Sequence, residues 1–259
     1  MSSERNRYFI RLSYIGTNYH GWQIQPGSIS VQEVLQEALG KLLGNNISVI
    51  GAGRTDTGVH ARCFYAHFDT LHSAEEIKKK QICYKMNRML PTDISINEVW
   101  AVKENAHARF DAFSRTYHYY ICTRKDPYKA ETAWLYERKL DVNAMQTSAK
   151  ILFKHTNFAS FSRSNTQVKT FDCTIMKAEW HQEERIITFE IEANRFLRNM
   201  VRALVGTMVD VGLGKLTPEA FERIILSQDR RNAGYSAPAR GLHLHEIEYP
   251  NAIFLERLC

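Results

Sequence analysis

Eleven consecutive residues, Gly51-Ala52-Gly53-Arg54-Thr55-Asp56-Thr57-Gly58-Val59-His60-Ala61, set one carboxylate among small residues beside an arginine and a histidine. A carboxylate in such a setting can attack carbon as a nucleophile or take a proton as a general base. Arg54 adds a planar fork suited to phosphate, and the glycines permit positive φ and close approach by another molecule. The combination suits a phosphate-bearing polymer better than a small neutral metabolite. A plain turn with solvated charges is the alternative, but turns rarely need so many special residues at once.

Four further stretches carry chemistry-capable residues. Gly16-Thr17-Asn18-Tyr19-His20-Gly21-Trp22-Gln23-Ile24-Gln25-Pro26 mixes turn residues, aromatics and amides suited to gripping an RNA backbone, or to burying Trp22. Ala108-Arg109-Phe110-Asp111-Ala112 leads into Arg115-Thr116-Tyr117-His118-Tyr119-Tyr120-Ile121, where Tyr117, Tyr119 and Ile121 share a strand face. Such a face offers stacking surfaces for unpaired bases, with Arg109 and Arg115 at hand for phosphates. Core packing competes with that role, more strongly for Tyr119 than for Tyr117. Arg195, Arg198 and Arg202 recur at spacings of three and four along an apolar helical stretch; Arg202, between Val201 and Ala203, needs a partner such as Asp56. Finally, Asp229 to Leu242 is a run of small residues that allows close approach by a ligand.

These residues must be positioned by regular elements. Residues 7–15 alternate with the period of a strand. Ser30 and Glu33 predict a capping box for a helix that ends at Gly44, and residues 47–51 and 62–69 read as strands flanking the Asp56 loop. Ser73 and Glu76 cap a second helix, which Pro91 stops, and residues 94–102 form a strand. The order β-α-β-β-α-β is ferredoxin-like, with one sheet face covered by helices and the other free to bind.

The second half repeats that order: strand 114–123, helix 141–154 capped by Asp141, strands 171–181 and 184–193 turning at Gln182-Glu183, helix 196–211, and strand 242–249. An extra helix, 217–227, carries Pro218 in its first turn. We therefore expect an α+β protein of two ferredoxin-like halves, residues 1–104 with the Asp56 loop and 105–259 with the inserted helix. Their antiparallel sheets would form a continuous platform with a central cleft, the Asp56 loop at the junction.

The chain of 259 residues is 44% hydrophobic, enough for real cores. Lys plus Arg is 34 against 28 for Asp plus Glu, so the formal charge is 34 − 28 = +6, which leans toward a polyanionic partner. Five widely spaced cysteines without a C-x-x-C pair argue against a disulfide framework or zinc site and read as reduced thiols. The opening Met1-Ser2-Ser3-Glu4-Arg5-Asn6-Arg7 has no apolar core of a signal peptide, and no apolar run is long enough to span a bilayer. A cytoplasmic location without membrane contact is expected.

Together these motifs resemble the tRNA pseudouridine synthase A family. The matching residues are Gly16-Thr17, Gly21-Trp22-Gln23, Gly51 to Asp56, Ala108-Arg109-Phe110, Arg115-x-Tyr117, Met200-Val201-Arg202 and Ala237-Pro238-Ala239-x-Gly241-Leu242, in family order across nearly the whole chain. The resemblance implies a homodimeric isomerase that converts uridine to pseudouridine at positions 38–40 of the tRNA anticodon stem-loop, with no cofactor or metal. It implies that Asp56 is the essential aspartate and Arg202 its basic partner. Arg54 would help extrude the target, Tyr117 would lie near the base, and Leu242 would sit beside the flipped uracil. Thr156-Asn157-Phe158 stands where the family often has His-Asp-Phe, and Ser236 replaces a frequent threonine.

The chemistry asks for little else. The N1–C1′ bond breaks, the uracil turns while bound, and C5 joins C1′, with no net redox change. The base must leave its stack, at a cost of a few kcal/mol offset by phosphate contacts and stacking. Asp56 must be ionised whether it acts as nucleophile or base. Two other readings exist: a non-catalytic RNA-binding module, which leaves the Asp56 loop unemployed, and a metal-dependent hydrolase built on Asp56, His60 and His67.

Overall fold

The alternation near the start of the chain becomes β1 (Asn6–Tyr14), whose Tyr8, Ile10, Leu12 and Tyr14 are all buried. The computed structural model describes residues 5–44, 47–163 and 168–259, so most of the opening segment read for a signal peptide, Met1 to Glu4, lies outside the described residues. The fold is α+β with mostly antiparallel strands, in two compact units. The first unit contains the residues up to Phe113 together with Leu244–Cys259, and the second is Ser114–His243. The division thus falls later than residue 104, and the final segment returns to the first unit.

In the first unit β1 is followed by α1 (Val31–Leu43), β2 (Val49–Gly51), β3 (His60–Thr70), α2 (Ala74–Lys79), α3 (Ile82–Met89) and β4 (Ile94–Val102). β1 lies between β3 and β4 and β2 lies outside β3, every neighbour antiparallel. Ser30 caps α1 by accepting from the Glu33 amide, while the full reciprocal box forms at Ser73 and Glu76 of α2. The single helix expected after Ser73 is broken in two, because Gln81 adopts φ 51° between α2 and α3.

The second sheet face of this unit, expected to be free, is partly filled. Phe9 is fully buried among Tyr65, His67, Tyr249 and Phe254, with ring centroids 5.4–6.4 Å away. Burying such a ring contributes about 1.5–3 kcal/mol. Its cover comes from the returning segment, which ends in β10 (Phe254–Arg257), an edge strand antiparallel to β4. Residues 249–254 have no strand or helix period, so nothing in their pattern announced this role.

The second unit holds β5 (Ser114–Cys122), β6 (Trp134–Leu135), α4 (Val142–Ile151), β7 (Ile175–Glu183), β8 (Ile186–Ala193), α5 (Met200–Gly212) and α6 (Pro218–Ser227). β8 pairs antiparallel with both β5 and β7, and β6 runs parallel to β5. The β7–β8 turn falls at Glu184-Arg185 instead of Gln182-Glu183, since the ladder continues to Glu183↔Ile186 and Glu184 takes φ 47°. α5 begins at Met200, not 196, because Asn199 adopts φ 68°. Arg195 and Arg198 therefore precede the helix, and of the three arginines only Arg202 lies on it. β9 (Leu242–Glu248) carries the chain from this unit into the first.

The cysteines are not all thiols. Cys83 and Cys259 are bonded, with Cα atoms 6.3 Å apart across 176 residues of sequence, while Cys63, Cys122 and Cys173 are buried and free. A pairing at that separation leaves no spacing signal. Among the described residues, no helix is long and apolar enough to cross a membrane.

Candidate active site

Asp56 sits in the loop between β2 and β3, half-buried, with Arg54 exposed two residues earlier. Thr55, the residue before it, is buried and hydrogen-bonds through Oγ1 to the Tyr14 hydroxyl at 2.9 Å. The Thr55 carbonyl accepts from the Trp22 amide at 3.2 Å, and the Asp56 carbonyl accepts from the Val59 amide at 3.1 Å. Gly58, at φ 75°, supplies the positive φ that this turn demands of its third residue.

The Asp56 loop is locked to the loop that follows β1. A Cβ on Gly21 (φ 84°) would stand 2.3 Å from the Thr55 carbonyl oxygen, and one on Gly16 would stand 2.0 Å from the Val59 oxygen. Glycine at both positions lets the two backbones touch. Trp22 is buried and stacks on Phe64 at 4.1 Å, so the alternative of a packed indole holds for it. The carboxylate thus stands on a fastened loop while Arg54 reaches solvent.

His60 and His67 do other work. His60 is buried and its Nδ1 accepts from the Gly16 amide at 3.0 Å. His67 Nδ1 accepts from the Ala108 amide at 3.1 Å; burial, then Arg7 and His107, push its imidazole down to about 4. Among the described residues, the grouping with metal-ligand spacing is Glu179, His181 and Glu190 on β7 and β8, where the Lys177 ammonium lies 3.0 Å from Glu190. The hydrolase triad is not assembled.

Arg109 is exposed on a tight turn, its guanidinium 5.5 Å from the Phe110 ring centroid. That turn is tied to His67, seven residues along β3 from His60, so about 23 Å of strand separates it from the Asp56 end. Within the first unit the structure brings Arg54 and Asp56 onto one loop and leaves Arg109 apart from them.

In the second unit, Arg202 is half-buried on the first turn of α5 and donates from Nε to the Ala237 carbonyl at 2.7 Å. The Ala237 amide returns a 2.9 Å bond to the Arg202 carbonyl. A Cβ on Gly206 would lie 1.9 Å from the Tyr235 oxygen, so the 234–238 segment rests directly on α5. Asn199 Nδ2 donates to Ser236 Oγ at 2.7 Å, and Arg230 donates to the same hydroxyl and to the Ala233 and Gly234 carbonyls. These bonds fix the direction of the Arg202 fork.

Tyr119, fully buried, donates to the Pro238 carbonyl at 2.8 Å, and its ring occupies the space a Cβ on Gly241 would need. Burial raises its hydroxyl pKa, with Arg202 acting in the opposite direction. Leu242, buried at 6% exposure, follows directly. Tyr117 is half-buried, edge-on to Phe196 at 5.2 Å, and Arg115 donates to the Asn194 carbonyl at 2.8 Å. The core-packing alternative holds for Tyr119, while sequence reading assigned no supporting role to Asn199 or Arg230; the small-residue run from 229 to 242 was the signal that something packs closely there.

The family model described as tRNA pseudouridine synthase matches residues 11–111 and 149–250. The chain belongs to the tRNA pseudouridine synthase family. Proteins named tRNA pseudouridine synthase A are similar along almost their whole length: 51% identity in Bacteroides fragilis, covering 96% of this chain and 98% of that one. The Bacteroides thetaiotaomicron protein is 50% identical over 96% and 93%, and that of Parabacteroides distasonis 46% over 96% and 98%. Family membership makes the chain an isomerase acting on tRNA uridine. Arg54, Asp56, Arg109, Arg202 and Leu242 fall inside the matched stretches, whereas Arg115 and Tyr117 lie between them.

Proposed function

We propose that this isomerase acts on uridines 38–40 of the tRNA anticodon stem-loop, as a cytoplasmic homodimer, with Asp56 as its catalytic carboxylate. One observation carries the assignment of Asp56. Its loop is built by glycine-permitted backbone contact, buried Thr55 and a turn that needs Gly58, which is costly construction for a merely connecting segment. The strand order β4-β1-β3-β2 supports a ferredoxin-like reading of the first unit.

In this reading Arg202 serves as the basic partner of the catalytic carboxylate, its fork pre-set by the Ala237 carbonyl. Arg54, Arg109 and Arg115 bind phosphates, while Tyr117 and Leu242 hold the extruded uracil. In the reaction the C1′–N1 bond breaks and C1′–C5 forms; the C5 proton leaves and N1 ends protonated. Atoms and electrons balance without an external reagent. Mapping pseudouridine in tRNA from cells lacking the protein tests the reading: loss confined to positions 38–40 supports it, and an unchanged map at those positions overturns it.

A further inference from the structure

We propose that Cys83 and Cys259 form a reversible redox latch that holds β10 on the first unit. β10 is four residues long, its side chains beyond Phe254 are exposed, and its pairing with β4 slips between Phe254 and Glu256. Beyond Phe254, which packs against Phe9, Tyr65, Trp100 and Tyr249, its side-chain ties are Lys78 to Glu256, Arg257 to Glu98 at 3.4 Å, and the Arg257 guanidinium 5.9 Å from the Trp100 ring centroid. Largely exposed ion pairs contribute little, so the edge strand frays readily beyond Phe254. The Leu258 amide bond to the Val99 carbonyl, at 2.8 Å, is the last link before the covalent one.

The disulfide joins that segment to α3. What it holds down matters, because Phe254 covers Phe9 and Trp100 and walls a hollow of 450 Å³ shared with Tyr65, Phe113 and Tyr249. Selectivity follows from exposure. Cys259 is exposed and Cys83 half-buried, whereas Cys63, Cys122 and Cys173 are enclosed by the fold. Burial further raises the thiols of Cys63 and Cys173, the latter to about 11.

The exchange balances with a low-molecular-weight disulfide such as glutathione disulfide as oxidant. The Cys259 thiolate attacks one of its sulfurs and expels a glutathione thiolate; the Cys83 thiolate then attacks Cys259 Sγ and expels the second. Two electrons pass to the oxidant, the two thiol protons go to solvent or to the departing thiolates, and a dithiol reverses both steps. Neither cysteine belongs to the Asp56 loop or the Arg202 helix, so the latch and the isomerase assignment stand or fall separately.

The test uses the full chain incubated with glutathione disulfide or with dithiothreitol. After denaturation and alkylation, mass spectrometry should find three modified cysteines in the oxidised sample and five in the reduced one. Oxidation should raise the melting midpoint by about 4–16 °C. It should also slow amide exchange in residues 250–259 roughly tenfold. Cys259→Ser and, independently, Cys83→Ala should abolish the response to oxidant. Five alkylated cysteines after oxidation, a persistent glutathione adduct, or equal melting and exchange in the two states would each overturn the proposal.

Discussion

The Tyr14 hydroxyl and Thr55 Oγ1 share a buried 2.9 Å hydrogen bond that ties the end of β1 to the residue preceding Asp56. Tyr14→Phe removes one partner and strands the other. Stability should drop by about 1–2 kcal/mol in urea unfolding. The rate of pseudouridine formation should fall several-fold in single-turnover assays while tRNA affinity holds. A rate equal to that of the parent would show that the loop is positioned by other contacts.

Asp56→Asn keeps the shape of the side chain and removes its charge. Gel-shift affinity for tRNA should stay within about twofold, since phosphate contacts dominate it, while pseudouridine becomes undetectable. Turnover persisting in this variant would remove Asp56 from the chemistry.

Arg202→Met retains the stem of the side chain and loses the Nε bond to Ala237. If Arg202 serves the carboxylate, kcat should fall at least about 100-fold, on the order of 3 kcal/mol of barrier, with the tRNA Kd little changed. Parallel losses in kcat and affinity would identify a phosphate clamp instead.

His67 gives the fold a pH dependence of known sign. Its imidazole titrates at about 4 when folded and near 6.5 when unfolded, so between those values the unfolded chain binds more protons and stability falls as pH falls. From pH 7 to 5 the loss should be on the order of 2 kcal/mol. His107, also held down by burial and Arg7, acts in the same direction. Asp69, whose pKa is lowered by its bond to Arg7, loses its contribution only below the usual carboxylate range. Guanidinium melts of His67→Gln, which keeps an acceptor near the Ala108 amide, should show most of this slope gone; an unchanged slope would place its origin elsewhere.

Strands and helices with strong periods were legible in the residues. β1, α1 and β4 fall where alternation and the Ser30 cap put them, because burial of one face dictates the spacing. Breaks caused by single residues at positive φ were not. Gln81, Glu184 and Asn199 carry no glycine to announce the left-handed turns that divide a helix, shift a hairpin and delay α5. The Asp56 loop stood out by composition, yet its grip on Gly16 and Gly21 is a contact between distant segments that no local pattern encodes. The aromatic cover from Tyr249 and Phe254 and the Cys83 bond were hidden for the same reason.

The return of Leu244–Cys259 to the first unit has a consequence for biosynthesis. A ribosome emits the second unit as an unbroken stretch, able to condense as soon as it clears the exit, while its older neighbour waits with Phe9 still lacking Tyr249 and Phe254. The part made first is therefore finished last, and translation must run past residue 254 before the aromatic cluster around Phe9 can close.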